Sequence, residues 1–216
     1  MKTLLVPALA VILGLSFGSC KSSSADGSAM LCDTACLTDT IKFTGEHKLK
    51  PYVYITVNNC QADSIIWSYD GMASDRKTKF DYSEAKMNKN FVRCLFKDTD
   101  FAYILFNDCV TGRGFQIKLP YDKSQSFVMK TSGINNIDPK FSISDNLLAY
   151  TDRGNIYIEE LATGKKAMMT FGEKLDIDYD AMHEYIDSVN ITNSRIWVKV
   201  KIKDAWKELE KNIVLE

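Results

Sequence analysis

Short apolar runs separated by polar turns recur along the chain from residue 40 to residue 216. In many runs apolar and polar residues alternate, the pattern of a β-strand with one buried face. Each group of runs opens with an alternating segment, at Thr40–Thr44, Phe91–Phe96, Phe141–Ser144 and Val189–Thr192. Second runs follow at Tyr52–Val57, Phe101–Phe106, Leu147–Tyr150 and Ile196–Ile202. The pattern therefore predicts an all-β fold.

Third runs complete the pattern, at Ile65–Tyr69, Phe115–Leu119, Ile156–Leu161 and Leu209–Leu215. The two middle groups close with a weaker fourth run, at Ser126–Lys130 and Ala167–Phe171. Polar or glycine-containing turns separate successive runs, as they do in antiparallel sheets. The chain is therefore expected to form small antiparallel sheets of about four strands each.

These groups are copies of one unit. Tyr52–Cys60 (YVYITVNNC) matches Phe101–Cys109 (FAYILFNDC) without a gap, and Phe141–Asn146 matches Val189–Ser194 at an offset of 48 residues. Anchoring the copies on Tyr54, Tyr103, Tyr150 and Val198 gives steps of 49, 47 and 48 residues. Repeats of this length are typical of propellers and solenoids, in which neighbouring units bury each other's apolar faces. The three anchor tyrosines share one repeat position, and we expect them in the core.

The third unit is similar to a β-propeller blade of the WD-repeat or periplasmic type. It carries a Ser144-Asp145-Asn146 turn, a short apolar strand at Leu148–Tyr150, an Ile156-Tyr157-Ile158 strand and a Thr163-Gly164-Lys165 turn. The resemblance implies four repeated sheet units of about 48 residues arranged like propeller blades; a β-sandwich of similar strands is the alternative. Closure of such a ring predicts that the N-terminal segment 38–45 supplies the last strand of the fourth unit.

The N-terminal region has the pattern of an export signal. An apolar run from Leu4 to Phe17 follows Lys2, and it is too short to span a bilayer. It ends in Phe17-Gly18-Ser19-Cys20, which resembles a bacterial lipobox of the kind found in Bacteroidota lipoproteins. This implies a signal peptide at residues 1–19, lipidation of Cys20, a flexible tether over 20–37 and a folded domain over 38–216. Cleavage of a plain signal peptide near Ala25 or Ala29 is the alternative.

The same resemblance implies a cellular location for the protein. Lys21, rather than an aspartate, follows the lipidated cysteine, which implies sorting to the outer membrane. The tether at residues 21–29 is small, polar and nearly neutral, so it lacks the acidic character of surface-export signals. We therefore expect an outer-membrane lipoprotein on the periplasmic face. The membrane is then one partner, reached through the N-terminal lipid.

The cysteines fit an oxidising compartment. Removing Cys20 leaves five, which are Cys32, Cys36, Cys60, Cys94 and Cys109. All five are disulfide candidates, and because five is odd at least one thiol stays free or pairs with another molecule. The Cys32-x-x-x-Cys36 spacing would also place two thiolates on one metal, but no second cysteine or histidine pair completes a tetrahedral site.

Few residues suggest chemistry. The chain has two histidines, His47 and His183, and it lacks nucleophile-elbow, Walker and zinc-protease motifs, so the sequence predicts no catalytic residue. A segment at 176–187 spaces acidic residues as a calcium loop does, which makes calcium the one cofactor to consider. The candidate ligands are Asp176, Asp178, Asp180 and Asp187. A solvated acidic connection is the alternative.

Composition narrows the range of partners. The formal net charge is −1, which gives no bias toward polyanions and argues against nucleic acid. Several aromatic residues lie outside the clearest strands and suggest a surface for a glycan or a protein; filling the space between the blades is the more common role of such residues. The set that we consider contains Trp67, Tyr69, Tyr82, Tyr121, Tyr179, Trp197 and Trp206. We therefore expect a non-enzymatic, lipid-anchored binding or scaffold module. The alternative is a carbohydrate hydrolase or lyase that uses loop carboxylates among Asp70, Asp75, Asp122 and Asp152.

Overall fold

The structure is a computed structural model that describes residues 33–82, 85–171 and 179–216, without the side chain of Asp180. It is all-β, with four sheets of four strands, as the repeat predicts. A 3-10 turn at Tyr179–Ala181 and a one-turn helix α1 at Met182–Tyr185 precede the last three strands of the chain. No helix in the described ranges has the length and apolar character needed to cross a membrane.

The strands fall into four sheets, named A to D. Sheet A contains β1 (Ile41–Thr44), β2 (Tyr52–Asn58), β3 (Gln61–Ser68) and β4 (Arg76–Lys79). Sheet B contains β5 (Met87–Lys97), β6 (Phe101–Asp108), β7 (Gly114–Pro120) and β8 (Val128–Lys130). Sheet C contains β9 (Gly133–Ile134), β11 (Leu147–Asp152), β12 (Asn155–Glu160) and β13 (Lys166–Met169). Sheet D contains β10 (Phe141–Ile143), β14 (Ile186–Ile191), β15 (Arg195–Ile202) and β16 (Ala205–Asn212).

The second apolar run of every repeat forms an inner strand of its own sheet. These inner strands are β2, β6, β11 and β15, each of which has a strand on both sides. Neighbouring strands pair antiparallel, apart from β10 and β14, which pair parallel. The prediction of four repeated sheet units is therefore confirmed.

One strand belongs to a different sheet from the one that the sequence predicts. Phe141–Ser144 was expected to open the third unit, but β10 pairs with β14 in sheet D, and β9 takes its place in sheet C. The physical reason is packing, because Phe141 and Ile143 bury their side chains in the same apolar cluster as Val189 and Ile191. The third-unit prediction is wrong for this strand.

The sheets stack in the order A, B, C, D, and alternation along β6 shows how. Ala102, Ile104 and Phe106 pack in one apolar cluster with residues of sheet A, such as Val53. The intervening Tyr103 and Leu105 pack on the other side with Leu148 of sheet C. A third cluster joins sheets C and D. Sheet B is therefore covered on both faces, which explains why β6 is buried from Ala102 to Asp108.

The N-terminal segment does not complete the fourth sheet. β1 pairs with β2, so segment 38–45 lies in sheet A, and the edges of sheet D are β10 and β16. Just before β1, the backbone of Leu37 donates to the Met87 carbonyl at 2.8 Å, and Cys36 forms a bridge with Asn88. A disulfide between Cys36 and Cys109 fixes this crossing. Cys36 and Leu37, which the sequence assigns to the tether, are buried in the folded body.

A lysine–tyrosine cleft as the candidate functional site

The facing surfaces of sheets B and C carry polar side chains where stacked sheets normally carry apolar ones. In β7, Phe115, Ile117 and Leu119 pack toward sheet A. Because side chains alternate along a strand, Gln116 and Lys118 face sheet C. In β12, Ile156 and Ile158 pack toward sheet D, so Tyr157 and Glu159 face sheet B. The stacking of the two sheets therefore places charged groups opposite one another.

Strand register gathers these polar groups into one place. Gln116 lies opposite Lys130 and Tyr103 opposite Lys118 in sheet B, while Glu159 lies opposite Lys166 in sheet C. The side chains line a cavity of about 210 Å³, together with Val128. We call this cavity the lysine–tyrosine cleft; its polar residues are Tyr103, Gln116, Lys118, Lys130, Glu159 and Lys166.

Glu159 occupies the centre of the cleft, with a side chain that is 14% exposed. Its Oε1 accepts a hydrogen bond of 3.2 Å from the Tyr103 hydroxyl. Its Oε2 lies 3.7 Å from Lys130 Nζ and 3.6 Å from Lys166 Nζ. Burial, with Glu159 as the next cause, raises the pKa of Tyr103, so this phenol stays a neutral donor. Both carboxylate oxygens are therefore held by groups of the protein.

Lys130 forms the wall between the lysine–tyrosine cleft and a second cavity of about 510 Å³. Its Nζ lies 3.0 Å from the ring centroid of Tyr150, which stacks on Tyr157 with centroids 5.4 Å apart. Burial lowers the pKa of Lys130 to about 8, and Glu159 opposes that shift. The second cavity is also lined by Asp152 and Arg153. Among the described lining residues, Lys130 is therefore the one titratable group that both cavities share.

Gln116 contributes an unusual buried group. It is 2% exposed, and its Nε2 donates to the Ala149 carbonyl at 2.7 Å and to Asn135 Oδ1 at 3.1 Å. Asn135 in turn donates to the carbonyls of Phe106 and Phe115 and to Asn107 Oδ1. These acceptors fix both amide orientations, which leaves Gln116 Oε1 as a buried acceptor with no donor. Such groups are rare in folded proteins and need an explanation.

This arrangement is suited to binding. Within the described lining of the cleft, three ammonium groups face one carboxylate. Lys118 Nζ lies 4.2 Å from the Phe101 ring centroid, so aromatic surface adjoins the charge. Lysines bind anions, aromatic rings bind apolar faces, and Gln116 Oε1 requires a donor. The cleft therefore offers cationic and aromatic contacts to one small ligand, and Gln116 Oε1 is buried in its wall.

Comparison with known proteins does not assign the cleft to a family. No family model, curated protein or solved structure matches the chain. The functional interpretation consequently depends on the geometry of the cleft and on the sequence.

The candidate calcium ligands are not brought together in the described residues. Asp176 and Asp178 lie outside those residues, as does the side chain of Asp180. Asp187 is exposed on β14, where it accepts from the Ser188 hydroxyl at 3.0 Å and lies 3.3 Å from Lys199 Nζ. The hydrogen bond from Ser188, followed by that from Lys199, lowers the pKa of Asp187. Across the described ranges, no group of three His, Cys, Asp or Glu side chains is placed to hold a metal.

The cysteines take different roles. Cys36 pairs with Cys109, and Cys60 is also disulfide-bonded. Cys94 is a free thiol whose pKa is raised by burial, which makes it a poor nucleophile. Cys20 and Cys32 lie outside the described residues.

Of the seven aromatic residues singled out in the sequence, two are buried, and Tyr69 and Tyr82 pack partly buried against the same apolar cluster. Trp67 and Tyr121 are buried, and the Trp67 indole N–H donates to the Pro120 carbonyl at 2.8 Å. Trp206 and Tyr179 are 48% and 40% exposed. Of the three tyrosines at the shared repeat position, Tyr103 is buried as expected, whereas Tyr54 and Tyr150 are half-buried. Tyr150 lines the second cavity and Tyr103 the lysine–tyrosine cleft.

Sequence reasoning missed the lysines and Glu159 of the cleft. One signal was present, because the stacking of repeats predicts inner units with two apolar faces, yet FQIKL and NIYIEE place polar residues at every second position. Charges facing a neighbouring unit break the expected pattern. Such local breaks are expected at functional sites.

Proposed function

We propose that the chain is a lipid-anchored, non-enzymatic binding module of the bacterial cell envelope, and that it binds a glycan in the lysine–tyrosine cleft. The observation that carries the proposal is the charged and hydrogen-bonded cluster between sheets B and C, where an apolar contact would hold the sheets without desolvating charges. Aromatic rings beside polar groups are suited to sugars, which have apolar ring faces and hydroxyl edges. The sheets themselves serve as a rigid, propeller-like support.

The anchor supports the proposed location. A lipid on Cys20 and a short polar tether would hold the folded body close to the periplasmic face of the outer membrane. Expression of the full chain in a Gram-negative bacterium tests this, with radiolabelled palmitate and fractionation as the readouts. The native chain should take up label and sediment with outer membranes, whereas Cys20→Ser should be unlabelled and released. Equal sedimentation of the two chains would overturn the anchor.

The hydrolase or lyase alternative is less well supported. Asp152 lies four residues along β11 from Leu148, the cross-strand partner of Glu159. At about 3.3 Å per residue, the backbone positions of the two carboxylates are roughly 13 Å apart. Paired glycosidase carboxylates are separated by roughly 5–10 Å. Glu159 is moreover held by Tyr103 and two lysines.

The other carboxylates of that alternative also have structural partners or lie in exposed turns. Asp75 accepts from the Tyr52 hydroxyl at 2.9 Å. Asp122 accepts from the Ser124 backbone at 2.8 Å and from the Ser124 hydroxyl at 2.8 Å, and the backbone bond is the largest cause of its lowered pKa. Asp70 is exposed. These contacts favour the binding module.

The binding proposal is tested with the full-length chain in detergent micelles, screened against envelope and dietary polysaccharides by affinity electrophoresis. At least one glycan should slow the migration of the protein through the gel. The chain length of that glycan should be unchanged after prolonged incubation with the protein. A glycan that shortens would favour the hydrolase or lyase. If every glycan fails to bind and a periplasmic protein co-purifies instead, the glycan proposal is wrong.

A further inference from the structure

We infer that the lysine–tyrosine cleft recognises a hydroxylated carboxylic acid, the chemistry of a uronic acid residue in an acidic polysaccharide. This inference rests on the proposed glycan-binding function and specifies the class of sugar. It is carried by the charge surplus of the cleft, by the orphaned acceptor on its wall and by its size.

The charge surplus favours an anion. Glu159 accounts for one negative charge, and it lies within 4 Å of Lys130 and Lys166. Lys118 forms no ion pair in the described part of the chain; its Nζ lies over the rings of Phe101 and Tyr103, at 4.2 Å and 5.7 Å from their centroids. Three ammonium groups therefore share one carboxylate, and a ligand carboxylate would compensate the excess.

The orphaned acceptor requires a hydrogen-bond donor on the same ligand. Gln116 lines the cleft, and its Oε1 cannot rotate away, because the amide nitrogen is held by two acceptors. A sugar hydroxyl is the simplest donor that a carboxylate-bearing ligand can bring. Since Gln116 Oε1 is shielded from solvent, a neighbouring side chain has to shift to admit that donor.

The size and composition of the cleft favour a monocarboxylate over a phosphate. The cavity of about 210 Å³ lies below the roughly 300–1,000 Å³ of pockets that hold drug-sized ligands, so it suits one sugar ring or a chain end. A phosphate dianion would bring two negative charges beside the buried carboxylate of Glu159.

The experiment measures the affinity of the full-length chain in detergent micelles by calorimetry. The probes are trimers of galacturonate, glucuronate and mannuronate, the methyl esters of the same trimers, and inorganic phosphate. At least one acidic trimer should bind, and its ester, which keeps the hydroxyls but not the charge, should bind at least tenfold more weakly. Equal binding of acid and ester, or binding of phosphate alone, would overturn the inference.

Variants locate the binding site. Lys118→Gln and Lys166→Gln should each weaken binding of the acidic trimer about tenfold or more, because each removes a charged hydrogen-bond donor from the cleft. Lys201→Gln is the matched control, since this lysine is similarly exposed but lies on β15 beside Asp204, and it should bind as the native chain does. Equal losses in all three variants would mean that general surface charge, and not the cleft, attracts the trimer.

The two proposals fail differently. If a neutral glycan binds and every uronate fails, the acidic specificity is wrong and the glycan-binding function remains. If no glycan of either kind binds, both proposals fall.

Discussion

Lys130 is the residue on which the electrostatics of the cleft converge. It packs against Tyr150 and Glu159 of sheet C, and Lys166 and Asp152 add a repulsive and an attractive charge. Burial is the largest influence and lowers its pKa from 10.5 to about 8. Its charge is thus sensitive to any group that enters the cleft, and an anionic ligand beside it would stabilise the protonated form.

The lowered pKa predicts a pH-dependent stability. Between pH about 8 and 10.5 the unfolded chain holds a proton on Lys130 that the folded chain releases. The unfolded state binds more protons in this window, so the free energy of unfolding should rise with pH, by on the order of 1–3 kcal/mol from this group. Lys130→Met should lose that increment. Urea denaturation at one pH below the window and two within it measures the difference.

The control for this measurement is Lys199→Met, which removes a lysine from the face of sheet D, where Asp187 is its ionic partner. This variant should keep the rise in stability that the native chain shows, because Lys130 is intact. If the stability of the Lys130→Met chain followed the native pH profile, burial would not lower the pKa of Lys130.

At the scale of elements, β7 and β9 hold sheets B and C together by close backbone contact. A Cβ built on Gly114 would lie 2.0 Å from the Gly133 carbonyl oxygen, and one on Gly133 would lie 2.8 Å from the Gln116 side chain. Glycine at 114 is therefore required by the approach of two backbones. The same approach places Gln116 and Asn135 within hydrogen-bond distance, so it also shapes the cleft.

Gly114→Ala should consequently separate the two strands. We expect a loss of about 1–3 kcal/mol or more in the free energy of unfolding, as for other overpacked sites. Gly164→Asn is the matched control, because Gly164 has φ of +73° with open space around it and asparagine tolerates that conformation. The control should lower the free energy of unfolding by less than Gly114→Ala does. Denaturant titration measures the free energy of unfolding of both variants. A Gly114→Ala chain that is as stable as the control would contradict the close approach of the two backbones.

The strands were more predictable than their partners. Alternation fixes which face of β2 or β6 is buried, because a strand must hide its apolar side wherever it lies. It does not say which sheet a short segment joins. Phe141–Ile143 and Val189–Ile191 are repeat-equivalent, and in the structure they pair in parallel at the repeat offset, Phe141 against Val189. Both have the same apolar face, so the sequence pattern fits either arrangement.

The cleft was less predictable because its residues come from separate strands. Tyr103, Gln116, Lys130 and Glu159 each occupy an ordinary alternating position in the sequence. Their proximity depends on cross-strand register and on the stacking of sheet B against sheet C. Neither quantity can be read from a single strand. The one sequence signal for the cleft was the presence of polar residues in the middle repeats, which are expected to be apolar on both faces.

At the scale of the whole molecule, the stacking order divides the sheets into inner and outer ones. Sheets B and C each have an apolar cluster on both faces. Sheets A and D each have an apolar cluster on one face. The outer face of sheet D carries Trp206, which is 48% exposed, and the edge strand β16 carries lysine at positions 207 and 211 and glutamate at positions 208 and 210. Charges on an edge strand oppose pairing with another chain, so β16 is protected against aggregation.

This division predicts a gradient of local stability. Native-state hydrogen exchange follows the free energy of local opening, which is highest where the backbone is buried and paired on both sides. Amides of β6, buried from Ala102 to Asp108, should exchange only by global unfolding, and those of β11 should be nearly as slow. Amides of β16 should open locally and exchange faster than those of its neighbour β15, which alternates buried and half-buried residues and is the internal control. Mass spectrometry of peptides covering the four strands measures the order. Equal protection of β16 and β6 would mean that the outer and inner sheets unfold as one unit, which the one-sided burial of sheet D argues against.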